Sequence, residues 1–206
     1  MSLKEAMLYE KLIENKVQCN LCGHKCKIPE GKIGFCRVKQ NKEGKLYSLV
    51  YAKICSAQVD PIGKKPLTHF HPGSSVMSIA TIGCNFRCRF CDNWVISQEK
   101  NIKGSYLPPK KVVEAAMEND CQGISFTYTE PTIFFEYAYD TAKIAHNQGI
   151  FNTFVTNGYM TPKAVQTIAP FLDAATVDFK GGGESEFYKK YYGKDVPEKV
   201  EEDELV

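Results

Sequence analysis

Three cysteines, Cys84, Cys88 and Cys91, stand in the run CNFRCRFC directly after an apolar stretch, Val76–Ile82. Thiolate is the soft ligand that zinc and iron–sulfur clusters select. Three thiolates in one short loop can converge on a single metal centre. An ordinary ferredoxin cluster takes four, so this loop leaves one metal position open to another ligand.

A second group, Cys19, Cys22, Cys26 and Cys36, lies in CNLCGHKCKIPEGKIGFC. Four cysteines suit structural zinc or a complete auxiliary cluster, and zinc is the preferred expectation. The segment is too polar to bury a core of its own, and a structural metal contributes folding energy directly. His24 is expected to be a solvated loop residue, His69 and His71 parts of a structural loop, and Cys55 and Cys121 packing residues. Nine cysteines without an export signal read as metal ligands rather than disulfides.

The chain has 206 residues, 26 basic against 24 acidic, a net charge of +2. That balance gives no field to recruit nucleic acid or a membrane surface. No apolar run is long enough to span a bilayer, and MSLKEAMLYE is not a signal peptide, so the expected compartment is the cytoplasm.

These groups need elements to position them. Residues 1–15 read as an amphipathic helix with Leu3, Met7, Leu8 and Leu12 on one face. Leu46–Val59 reads as a strand or hairpin arm, followed by the Pro/Gly-rich connector DPIGKKPLTHFHPGS. Strands are expected at Val76–Ile82, Gly123–Tyr128, Phe151–Thr156 and Ala174–Phe179. Helices are expected at Pro109–Asn119 (buried stripe Val112, Val113, Ala116, Met117), about Thr132–Asn147, from Thr161-Pro162 to Pro170, and Glu184–Tyr192. Strands alternating with helices imply a parallel α/β sheet. The expected architecture is a partial TIM-like (βα) barrel of about four βα units. The expected divisions are residues 1–73 (Cys-rich module and connector), 74–193 (βα core) and 194–206 (charged tail).

Parallel βα folds collect ligands at the carboxyl ends of their strands. Strand one leads to Cys84, Cys88 and Cys91, strand two to Thr129, Glu130 and Pro131, strand three to Asn157 and Gly158, and strand four to Asp178, Phe179, Lys180 and Gly181. Such a rim suits a zwitterionic ligand with hydroxyl groups. There is no phosphate loop, no G-x-G-x-x-G fingerprint and no G-x-S-x-G elbow.

With these residues in place, the sequence resembles the radical S-adenosylmethionine enzymes. The C-x3-C-x-aromatic-C signature is CNFRCRFC, with Phe90 in the aromatic position. Within that superfamily it looks like the pyruvate formate-lyase activating group. KKPLTHFHPGS, YTEP, TNG and VDFKG are similar to the radical enzymes of the AmmeMemoRadiSam system. The resemblance implies a [4Fe-4S] cluster on Cys84, Cys88 and Cys91 with S-adenosylmethionine on the fourth iron. Phe90 would pack near the adenine, and Thr129 and Glu130 would stand at the family's GGE segment by the methionine amino group. Asn157 would reach the ribose region, and Asp178 and Lys180 would form an Asp-x-Lys pair, Lys180 on the carboxylate. It also implies a small electron donor such as flavodoxin or ferredoxin, a hydrogen-abstracting activity of the glycyl-radical-activating type, and a protein or small-molecule substrate.

Two departures stand out. The GGE position reads YTE, and members of the family continue through two further βα units. A truncated product, or one needing a partner chain that supplies those units, is therefore expected to bind a cluster but cleave S-adenosylmethionine poorly. A non-catalytic iron–sulfur protein and a zinc-binding interaction protein are the competing expectations.

Overall fold

The computed structural model describes residues 3–179 and 184–192. The N-terminal part is a set of short antiparallel strands: β1 (Lys4–Glu5), β2 (Tyr9–Lys11), β3 (Val17–Cys19), β4 (Lys27–Ile28), β5 (Lys39–Lys42) and β6 (Lys45–Ser48). They form two small sheets, β1-β6-β5 and β2-β3-β4. The helix expected over residues 1–15 is not there. Leu8, Glu14 and Asn15 take positive φ, which no helix tolerates, and the backbone instead pairs over long range, Ala6 N–H donating to the Leu46 carbonyl. The expected arm over Leu46–Val59 is likewise broken: β6 ends at Ser48, Ala52 turns at φ 57°, and β7 (Lys53–Ile54) and β8 (Ser56–Pro61) follow.

The sheet that matters for chemistry has five strands. After β8 come β9 (Ser75–Ala80), α1 (Trp94–Ser97), β10 (Ser105–Tyr106), α2 (Pro109–Glu118), β11 (Gly123–Phe126), α3 (Phe135–His146) and β12 (Phe151–Thr156). Then follow α4 (Pro162–Ile168), β13 (Ala174–Val177) and α5 (Ser185–Tyr192). The order is β13-β12-β11-β9-β8. The four later strands are parallel and in register, for example Val76 beside Gly123 and Gly123 beside Phe151, whereas β8 runs antiparallel along β9. The sheet thus begins before residue 74. Strands β9, β11 and β12 are buried on both faces, as sheets covered on two sides are. Strand β13 alternates half-buried and exposed residues and pairs with β12 alone among the described residues. The sheet is an open α/β sheet, and a closed barrel is not seen among the described residues.

One face of the sheet packs on α2 and α3 through Val112, Val113, Ala116, Phe135, Ala138, Ala142 and Ala145. Met117 is not on that stripe but 54 % exposed. The connector covers part of the sheet. Ile62 joins Val76 and Phe151 in a small apolar cluster, His71 stacks on Phe151 at 4.6 Å, and the Lys65 carbonyl accepts from Thr176 Oγ1 on β13 at 2.6 Å.

The N-terminal sheets are clamped to α3. Lys39 on β5 and Glu136 on α3 form a fully buried ion pair. The Met7 amide donates to the other Glu136 oxygen at 2.9 Å. Asp140, one turn on, accepts from Lys4 at 2.7 Å and from the Tyr51 hydroxyl at 2.6 Å.

Candidate active site

Strand β9 runs into the cysteine loop through Gly83, whose φ of +98° suits glycine. A Cβ there would lie 2.8 Å from Val38 Cγ1 and 3.1 Å from the Cys36 carbonyl oxygen. The loop beyond is held by its own backbone. Phe86 N–H donates to Cys84 Sγ at 3.3 Å, and Arg87 caps the Cys84 carbonyl at 3.0 Å while also reaching the Phe35 carbonyl. Cys91 Sγ lies 3.4 Å from Ser97 Oγ on α1. Burial, then the nearby Glu130 carboxylate, push the Cys84 thiol well above its usual range.

Glu130 is the hub of the neighbouring strand ends. It is 2 % exposed. Its Oε1 accepts from the Thr132 amide (3.1 Å), the Thr132 hydroxyl (2.6 Å) and the Thr156 hydroxyl (2.6 Å), and its Oε2 accepts from the Asn157 amide (2.8 Å). Burial raises its pKa against those four donors. Its oxygens therefore fasten the end of β11 to the end of β12. Thr129, just before it, donates to the Thr81 carbonyl of the cysteine strand at 2.8 Å. Asn157 donates from Nδ2 to Asn85 Oδ1 at 2.7 Å, closing the ring of strand ends. Asp178 follows β13, its amide on the Thr156 carbonyl at 2.7 Å. Lys180 lies outside the described residues.

Three groups here escaped sequence reasoning. Asp60, Lys65 and Tyr128 are joined: Lys64 and Lys65 each sit 2.7 Å from an Asp60 oxygen, and the Tyr128 hydroxyl donates to the same carboxylate. Burial pushes Asp60 upward, but these three donors outweigh it and hold the carboxyl well below its usual range. Burial lowers Lys65 against the pull of Asp60. Tyr128 has φ +64°, a conformation glycine adopts freely and a bulky residue does not. It fills a position where the resemblance expects glycine, and its bond to Asp60 and the Lys65 ammonium 4.6 Å over its ring hold it there. In the sequence DPIGKK (60–65) and YTEP (128–131) stand far apart, and charged residues in a connector read as solvated.

Cys84, Cys88, Cys91, Phe90, Thr129, Glu130, Asn157 and Asp178 line one cavity of about 670 Å³, with Lys64, Lys65 and Tyr128 also on its wall. That volume is in the range of small-molecule and cofactor sites. Phe90 is 44 % exposed and meets the Tyr192 ring edge-on at 5.5 Å. No three His, Cys, Asp or Glu side chains among the described residues are gathered as a ready-made ion site. The donor set and the room still fit a sulfide-bridged cluster, in which each thiolate needs to reach only its own iron.

The comparisons decide the family. Residues 78–202 match the model of the Radical SAM superfamily. The chain belongs to that superfamily. The family implies a [4Fe-4S] cluster and S-adenosylmethionine, which the cavity's thiols and volume suit. The uncharacterized protein MJ0808 of Methanocaldococcus jannaschii is 47% identical over 190 residues, 91% of this chain and 56% of that protein. The uncharacterized protein MJ0674 of the same organism is 27% identical over 172 residues, 80% of this chain and 46% of its own length. The chain thus spans about half the length of these relatives. No helix among the described residues is long and apolar enough to cross a membrane.

Proposed function

We propose that Cys84, Cys88 and Cys91 hold a [4Fe-4S] cluster and that S-adenosylmethionine lies across the rim of Phe90, Thr129, Glu130, Asn157 and Asp178, with Lys180, by the resemblance alone, as a further contact. The observation that carries this is the placing of all three thiols on the wall of the same cavity as the ends of the parallel strands. Bound there, the two groups would supply one-electron reductive chemistry on the sulfonium, with a donor such as flavodoxin or ferredoxin as the electron source and hydrogen abstraction by a 5′-deoxyadenosyl radical as the outcome.

The chain's own residues bind and orient. The exposed ring of Phe90, braced by Tyr192, offers an apolar face to the adenine. Asn157, fixed by Asn85 and by its own amide on Glu130, presents a set position to the ribose region. Glu130 acts by locking strand ends, since its oxygens already accept four hydrogen bonds. Asp178 on the open side of the rim suits an ammonium or ribose hydroxyls, and Lys180 a carboxylate. Buried Ile82, Phe86 and Thr127 beneath the rim keep water from the reacting centre.

The finer reading is hydrogen abstraction of the type used to activate glycyl-radical enzymes, with a protein as substrate. It is supported by the resemblance to that group and by exposed Trp94 and Val95 close to Phe90 in the chain. Anaerobic reconstitution with iron and sulfide tests the cluster. Cys88→Ala is expected to lose about four irons and four sulfides per chain, the content of one cube. Equal iron in both proteins would contradict the assignment.

A further inference from the structure

A second cysteine site lies beneath the first. The β3–β4 hairpin brings Cys19 and Cys26 opposite each other, the Cys19 amide donating to the Cys26 carbonyl at 3.0 Å. Cys22 sits in the hairpin loop, where its carbonyl accepts from Lys25 at 3.0 Å. Cys36 arrives from the separate turn closed by Arg37 N–H on Gly34. All four line a void of about 20 Å³, together with Lys39 and Asn85.

Two observations say what this void takes. Its volume is close to that of one water-sized body, which matches a single ion more closely than a cube of irons and sulfides. Asn85 is fully buried, and its Nδ2 has no hydrogen-bond partner among the described residues. Asn157 Nδ2 on Asn85 Oδ1 fixes which way that amide points. A thiolate at the void is an acceptor for the orphaned N–H, whose burial without a partner is otherwise unfavourable.

We propose that Cys19, Cys22, Cys26 and Cys36, which line one void but are not gathered, among the described residues, as a ready-made ion site, close in on one zinc ion, and that this ion forms the floor on which the cluster-bearing loop is set. The floor and the loop are joined at several points. His24 Nε2 is 2.7 Å from the Asn85 carbonyl oxygen, so the expectation of a solvated His24 is corrected. Its ring lies between Phe35 and Tyr159. Arg87 reaches the Phe35 carbonyl, Gly23 N–H donates to the Tyr159 carbonyl, and Gly83 lies close against Cys36.

The test uses the chain with Cys84, Cys88 and Cys91 all changed to Ala, expressed in zinc-containing medium and analysed by elemental mass spectrometry. One zinc per chain with no acid-labile sulfide is expected. Cobalt exchanged into the unaltered chain should show the intense sulfur-to-cobalt absorption of a four-thiolate tetrahedral site. Iron with sulfide in the triple variant, or no metal in it together with no cobalt–thiolate band in the unaltered chain, would overturn the assignment. The elemental reading does not bear on the cluster at Cys84, Cys88 and Cys91, whose ligands are absent from the triple variant, and the cobalt band is compared with that of the Cys19→Ala chain, which must lose it. Hydrogen exchange of the zinc-depleted chain reads the coupling: faster exchange over residues 83–91 is expected, and unchanged exchange would remove the role as a floor.

Discussion

Asn157 Nδ2 donates to Asn85 Oδ1 at 2.7 Å, so the turn after β12 is fastened to the loop that carries Cys84. Asn157→Ala should remove that link and leave Asn85 short of a second bond. We expect a loss of about 1 kcal/mol in stability and weaker S-adenosylmethionine binding. Denaturant midpoints and calorimetric titration on the iron-loaded chain check both. Unchanged affinity would mean that the link only braces the fold.

Asp60 is the sole carboxylate bonded to the buried Lys65 among the hydrogen bonds of the described residues. Asp60→Asn strands that ammonium and should cost roughly 3–5 kcal/mol, as breaking a buried pair does. Tyr128→Phe, which deletes one donor to the same carboxylate, should cost roughly 1.5–3 kcal/mol. Thermal melts rank the two variants, and Asn should be the worse.

The same carboxylate sets an acid limit. Its folded pKa is depressed, so its contribution is present above the unfolded value of about 3.9 and is lost as pH falls through the lower folded value. Stability of the chain should therefore drop on acidification below about pH 4. Asp60→Asn should flatten that part of the profile. A profile with the same slope in both proteins would show that other carboxylates govern it.

Much of the core was legible. Phe151–Thr156 is an apolar, β-branched run opened by Gly149 and Ile150, and it forms the strand β12 with those bounds. Thr161-Pro162 opens a helix as expected, with Thr161 Oγ1 accepting from Ala164 N–H at 3.2 Å. The first fifteen residues misled because Leu3, Met7, Leu8 and Leu12 fall at helical spacing, while the backbone between them pairs outside that segment, Glu5 with Tyr47, Ala6 with Leu46 and Tyr9 with Cys19. Pattern within a window cannot register such pairing. Met117 misled because the buried arc of α2 is narrower than its apolar stripe. At the site, the cysteines and strand-end residues could be read from motif and position. The Asp60–Lys65–Tyr128 group could not, since mutual neutralisation of charges is a property of three dimensions.

Glu130→Gln keeps the shape but replaces one acceptor oxygen by an N–H2, which then faces either the Asn157 amide on the Oε2 side or the three donors on the Oε1 side. It should destabilise by about 1–3 kcal/mol and loosen the join between β11 and β12, read as faster amide exchange at Thr132 and Asn157. Unaltered exchange at those two amides would show that the carboxylate does not fasten the strands.

The most direct test of the central claim is electron paramagnetic resonance of the reconstituted, dithionite-reduced chain with Cys19, Cys22, Cys26 and Cys36 intact. A reduced cluster signal that changes on adding S-adenosylmethionine, and that Cys84→Ala abolishes, is the expected result. A cluster signal indifferent to S-adenosylmethionine, or one that survives Cys84→Ala, would contradict an open iron held by Cys84, Cys88 and Cys91.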